Sequence, residues 1–159
     1  MLRDARVEDV PVILAMLRDS AAEQGFPDSL AVTEADLAAD GFGPTQRFHV
    51  LLAELDGRPA GMALYFFNYS TWGSRMGLYL EDLYVDSSFR KRGVARALLV
   101  GLARIAIEQG CGRFQWVVHA ANTAAVKLYE STGAEALVEW QLMSLKGEAI
   151  ARLAALPRE

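Results

Sequence analysis

The stretch "YLEDLYVDSSFRKRGVARALL", residues 79 to 99, passes from a strand pattern through a tight basic turn straight into a helix pattern. The strand is "MGLYLEDLYV", Ser87 and Ser88 open the loop, and Gly93 leads into "VARALLVGLARIAIEQG". That helix is apolar at Val94, Leu98, Leu99, Leu102, Ile105 and Ala106, a single stripe, and Gly110 ends it. "RFQWVVHA" then reads as the next strand. A strand, a crossover helix and a second strand make a parallel unit, which obliges the chain to bury the helix against a sheet.

The rest of the chain fits around that unit. Residues 2 to 6 read as a short strand, and "EDVPVILAMLRDSAAEQG" places Val10, Ile13, Leu14 and Leu17 at helical spacing, with Asp9 as cap and Gly25 as stop. Thr33 and Asp36 form a capping box for a short helix ending near Gly41. "FHVLLAEL" and "PAGMALYFFNY" flank Asp56-Gly57, a hairpin signal, and so pair antiparallel. Asn122 caps the helix "TAAVKLYESTG", "LVEWQLMSL" reads as a last strand, and a C-terminal helix of about ten residues follows. The expectation is an α/β (α+β) fold, an antiparallel meander followed by a parallel βαβα unit, in one domain over residues 1 to 159.

The 159 residues carry a net charge of −4, which argues against nucleic acid as a partner because a polyphosphate rewards a broadly basic face. No apolar run reaches the roughly 18 residues of a membrane span, and "MLRDARVEDV" has no signal-peptide pattern. The single Cys111 has no internal partner and reads as a small buried hydrophobe, so a cytoplasmic location is expected. His49 and His119 stand apart from other metal-ligating residues, and no metal is expected.

Against this acidic background Arg90, Lys91, Arg92 and Arg96 crowd around Gly93. The first amides of a helix have no backbone partner and the helix dipole adds about half a positive charge there, so a strand-to-helix loop of this composition suits a pyrophosphate. Gly93 permits the tight turn and a close approach of phosphate to backbone. It is not a Walker loop, since no Gly-Lys-Ser/Thr follows.

Arg90-x-x-Gly93-x-Ala95 after a fourth strand, together with "LYLEDLYV", "DGFG", "FFNYSTW" and "NTAAVKLYESTGA", resembles the GNAT superfamily of N-acetyltransferases and, within it, the diamine (spermidine/spermine-type) branch. The resemblance covers almost the whole chain and is most specific from Leu78 to Gly133. It implies acetyl-CoA as co-substrate, wedged between splayed strands four and five. Its pantetheine would pair with the backbone of Leu83, Tyr84 and Val85, and its pyrophosphate with the loop from Arg90 through Lys91, Arg92, Gly93, Val94, Ala95 and Arg96. Asn122, Thr123, Ala124 and Ala125 would line the other side of the thioester arm. The resemblance also implies a homodimer, with the C-terminal strand and helix exchanged or packed across the two-fold axis.

An alkylammonium with a pKa near 10.4 is almost fully protonated at pH 7, so acetyl transfer to it begins with proton removal, a cost of roughly 4–5 kcal/mol. The departing thiolate needs a proton back, and a tyrosine supplies one at neutral pH. The resemblance gives that donor as Tyr129, the base as Glu81 acting through water, and the amine-binding acid as Asp82. Successive strand residues face opposite ways, so two such acids serve one pocket only across a β-bulge near residues 81 to 84, which also breaks pairing with strand five. Gln24 stands where the branch has an acid on its first helix, Trp72 offers an aromatic face to an amine's methylenes, and Glu139 with Trp140 matches a further substrate contact. No Gly-x-Ser-x-Gly elbow is present, favouring direct transfer to a small amine: a diamine, polyamine or thialysine-like amino acid. The alternatives are a protein or peptide acetyltransferase and an acyl-CoA sensor without turnover.

Overall fold

In a computed structural model, described over residues 1–157, the chain forms two compact units, Met1–His119 and Ala120–Glu159. The first unit holds a five-stranded sheet in sequential order: β1 (Leu2–Asp4), β2 (His49–Leu55), β3 (Arg58–Ser70), β4 (Arg75–Val85) and β5 (Arg113–Trp116). The first four strands pair antiparallel and β5 joins β4 in parallel, as the crossover pattern requires. The unit's helices are α1 (Val10–Glu23), α2 (Glu34–Phe42) and α3 (Val94–Glu108).

Each helix buries the stripe its spacing lays out. Val10, Ile13, Leu14 and Leu17 of α1, with Met16, pack on Val50, Leu52, Met62, Leu64 and Tyr84, which alternate along β2, β3 and β4 and so share one sheet face. Leu98, Leu99, Leu102 and Ala106 of α3 are buried too, on the face of Leu51, which lies so near Gly101 that a Cβ there would meet Leu51 and Leu2 side chains at 2.7 and 2.8 Å. The Thr33–Asp36 capping box forms, with Asp36 N–H donating to Thr33 Oγ1 at 3.2 Å and Thr33 N–H to Asp36 Oδ2 at 2.9 Å. Asp9 does not cap α1 with its side chain; its carboxylate is taken by Arg3 at 2.7 and 2.9 Å and by the Arg6 amide.

The strand expected over 113 to 120 is shorter. The β4–β5 ladder runs from Gly77↔Arg113 to Leu80↔Trp116 and stops, leaving Val117 59% exposed. It stops where β4 is interrupted. Opposite β3 the register runs Tyr65↔Leu80 and then Leu64↔Asp82, so Glu81 is an extra residue with no partner: the bulge lies inside the expected interval. A bulge of this kind bends a strand and increases its local twist, and here it coincides with the end of the β4–β5 ladder.

The second unit contains α4 (Thr123–Glu130) and α5 (Glu148–Ala154). Asn122 caps α4, accepting from Ala125 N–H at 3.2 Å. The strand expected at "LVEWQLMSL" does not form, and Val138, Trp140, Leu142 and Met143 are 86, 70, 78 and 83% exposed. An alternating apolar segment becomes a strand only beside a second backbone that pairs with it, and the described residues of this unit include no other strand.

Candidate active site

The bulge decides where the two acids go. In an unbroken strand Asp82 would share a face with Leu80, opposite Tyr65. The extra residue instead sets Asp82 opposite Leu64, on the α1 face, half-buried two positions before Tyr84, while Glu81 is exposed. Burial, and secondarily the neighbouring charge of Glu81, pushes the Asp82 carboxyl up to about 6. The two carboxylates thus differ in environment while remaining close enough to interact. From Asp82 to Val85 the β4 backbone pairs only with β3, through Leu64↔Asp82, Leu83↔Ala63, Tyr84↔Met62 and Val85↔Gly61, and its β5 side lies outside the ladder. That edge presents backbone donors and acceptors to an extended amide-bearing chain.

The loop after β4 is anchored by its own side chains. Asp86 accepts from Ser88 N–H at 2.8 Å, and Phe89 is buried with the guanidinium groups of Arg58 and Arg92 at 5.4 and 5.8 Å from its ring. Arg92 pairs with Asp56 of the β2–β3 turn at 3.0 Å. Arg90 Nη2 donates to both oxygens of Glu23 at 2.5 Å, and its Nε donates to the Val85 carbonyl at 3.1 Å. Of the four bases around Gly93, Arg90 and Arg92 thus also brace the loop through ion pairs with Glu23 and Asp56.

Lys91 and Gly93 both have positive φ, 58° and 81°, and α3 begins at Val94, its first intrahelical bond running from Ala97 N–H to the Gly93 carbonyl at 2.9 Å. The amides of Val94, Ala95 and Arg96 therefore stand at the open end of the helix. This concave run of N–H groups fits a pyrophosphate. Gly93 has open space around its Cβ direction, so in Gly93→Ala only the backbone angle is penalised, by about 1–2 kcal/mol. Its Tm without ligand is expected to fall by roughly 2–8 °C in a thermal melt.

Gln24 ends α1 and turns back on its own helix, donating to Ser20 Oγ at 3.1 Å; Glu23 beside it makes the contact with the loop. No periodicity in the sequence connects Glu23 with a residue 67 positions later. Trp72 is 92% exposed in the β3–β4 turn, and at about 3.4 Å per residue it stands roughly 20 Å along β4 from Glu81, so the structure does not bring it to the acids. His49 stacks on Tyr65 at 5.2 Å and is held below the usual imidazole range by burial. Cys111 is half-buried and burial raises its thiol. Among the described residues no group of three His, Cys, Asp or Glu side chains is placed to hold a metal.

In the second unit, Thr123, Ala124 and Ala125 form the first turn of α4 behind the Asn122 cap, and Tyr129 is half-buried, with burial raising its phenol above 10. Glu139 and Trp140 are exposed in a turn closed by Trp140 N–H to the Leu137 carbonyl at 3.1 Å.

Residues 13–134 match the model of the acetyltransferase (GNAT) family. The chain belongs to the GNAT acetyltransferase family. It is 35% identical to a thialysine N-epsilon-acetyltransferase of Bos taurus over 97% of this chain and 96% of the relative. It is 34% identical to the spermidine/spermine N(1)-acetyltransferase-like protein 1 of Homo sapiens, over 84% of this chain and 20% of that longer protein. Among solved structures an integron cassette protein from the mobile metagenome of V. cholerae superposes with a TM-score of 0.81 at 25% identity, covering 98% of each chain. The chain is thus an N-acetyltransferase.

Proposed function

We propose that this acetyltransferase moves an acetyl group from acetyl-CoA directly to a primary amine of a small cationic acceptor, a diamine, a polyamine or a thialysine-like amino acid. The observation that carries the reading is the bulge at Glu81, which coincides with the end of the β4–β5 ladder and precedes the anion-accepting loop at Gly93. A thioester arm lying along the released edge of β4 has its acyl end beside two carboxylates and its phosphates at the amides of residues 91 to 96. Acetyl-CoA supplies the activated acyl group; the chain supplies proton management and orientation.

The contrast in burial assigns the two acids. Asp82, with a carboxyl near 6, is ionised at pH 7 yet close enough to neutrality to take the ammonium proton. Glu81, exposed beside it, attracts the incoming cation and keeps the Asp82 pKa raised. This exchanges the roles that the resemblance gives them, because the bulge buries one and not the other. Tyr129 donates to the departing sulfur: burial raises its phenol above the ordinary value, so the proton is available throughout the physiological range. Asn122 to Ala125 are retained in the proposal as contacts to the coenzyme, and Gln24 and Glu139 as contacts to the acceptor, while Trp72, far along β4 from Glu81, is left out of the acid site. Release of free thiol from acetyl-CoA across a panel of amines tests the reading. Turnover with lysine-like or diamine acceptors supports it, and acetylation confined to peptides overturns it.

We also propose a cytoplasmic homodimer. The exposed apolar residues from Leu137 to Leu145 present an alternating segment with no neighbouring strand among the described residues, and a second copy supplies both apolar surface and backbone partners. Light scattering on the purified chain is expected to give twice the 17.4 kDa of one chain. Replacing Leu142 and Met143 with Lys is expected to shift the mass toward the monomer.

A further inference from the structure

We infer that Glu23, the last residue of α1, is a positioning residue for the coenzyme: it holds the Arg90 guanidinium in the place from which the pyrophosphate loop is organised. The inference rests on the reading that this loop receives the phosphates of acetyl-CoA. Both Glu23 oxygens accept from Arg90 Nη2 at 2.5 Å, and Arg90 Nε donates to the carbonyl of Val85, the last residue of β4. One planar fork thus fastens the exit of β4 to the end of α1 at the first position of the loop motif.

Arg90 keeps its Nη1 donors out of both contacts; among the described residues they make no hydrogen bond. These donors are available to an oxygen anion while Nε and Nη2 stay engaged. A loose arginine would lose rotamer freedom on meeting a phosphate, whereas a side chain already held has less to lose. The charges of Glu23 and Arg90 both reach the hydroxyl of Tyr84, which is buried on the α1 face of β4, so the pair lies beside that face while both side chains stay solvent-exposed, where an oxygen anion can reach them.

This geometry separates Glu23 from the acids that meet the amine. A carboxylate with both oxygens on a guanidinium has its charge compensated and is a weak attractor for a second cation, while Glu81 and Asp82 have no such partner among the described residues. Glu23 therefore acts through Arg90 on coenzyme affinity.

The test is calorimetry with coenzyme A alongside steady-state kinetics for both substrates. Glu23→Ala is expected to weaken coenzyme binding about 3- to 10-fold, with the amine KM unchanged within twofold, and Glu23→Gln, which keeps an acceptor without the charge, to fall between. In Arg90→Gln the further change Glu23→Ala is expected to add nothing, since its route of action is gone. Unaltered coenzyme affinity in Glu23→Ala, a rise confined to the amine KM, or additive losses in the double variant would each overturn the role given to Glu23. Wild-type protein that binds no coenzyme A would instead overturn the reading of the loop itself.

Discussion

Tyr129→Phe is expected to lower kcat about 100- to 1,000-fold while leaving the dissociation constant of acetyl-CoA within twofold, which is the scale of losing one well-placed general acid. The change removes a hydroxyl and little volume, so the half-buried ring still packs. Thiolate departs with a pKa well above neutrality unless a proton meets it, and the raised phenol pKa keeps that proton in place. A donor whose pKa is raised above the ordinary phenol value produces no falling limb between pH 7 and 9 in the wild type. Single-turnover measurement of thiol release separates the chemical step from product release. An unchanged rate in Tyr129→Phe would remove the phenol from the reaction.

Asp82→Asn carries the second large effect, and it acts on activity and stability in opposite directions. As the proton acceptor, Asp82 gives kcat/KM a limb that rises with pH through about 6, since only the ionised carboxylate accepts. Asp82→Asn is expected to abolish that limb and to lower kcat/KM at pH 7 by about 100-fold or more. Glu81→Gln is expected to keep the limb but move it to lower pH, because the negative neighbour that helps to raise Asp82 is gone, and to raise the amine KM. Were the limb to vanish in Glu81→Gln and persist in Asp82→Asn, the assignment of the two acids would be reversed.

The stability effect has the other sign. A carboxyl raised in the folded protein binds protons more tightly there than in the unfolded chain, so stability falls as pH rises from about 4 to about 6. Above that window the ionised Asp82 costs on the order of 3 kcal/mol, which the amide of Asn avoids. Thermal melts at pH 7 are therefore expected to show Asp82→Asn several degrees more stable than the wild type, with the difference shrinking toward pH 4. A destabilised, inactive variant would show that Asp82 is structural. A more stable, inactive one marks a residue kept strained for function.

Elements that depend on near neighbours in the chain were legible before any coordinates. The stripe of α3, the capping box of Thr33 and Asp36, the Asn122 cap and the hairpin at Asp56-Gly57 all appear as spaced, because each is decided within a few residues by helical period or turn chemistry. Even the bulge followed from a local contradiction, two adjacent acids wanted on one side of a strand whose side chains alternate.

What escaped the sequence is whatever a second, distant segment supplies. "LVEWQLMSL" has the alternation of a strand and forms none among the described residues, since the hydrogen-bonding partner is not encoded in the segment itself. The sequence shows Arg90 and Arg92 only as bases beside Gly93; that they also pair with Glu23 and Asp56, 67 and 36 positions away, appears once the fold brings those carboxylates near. The sequence alone determined the helices, the hairpins and the chemical identity of the acids, base cluster and phenol, because period and residue type are local properties. Only the tertiary structure decided which acid is buried and which arginine is held, because burial and ion pairing are set by what other parts of the chain bring alongside.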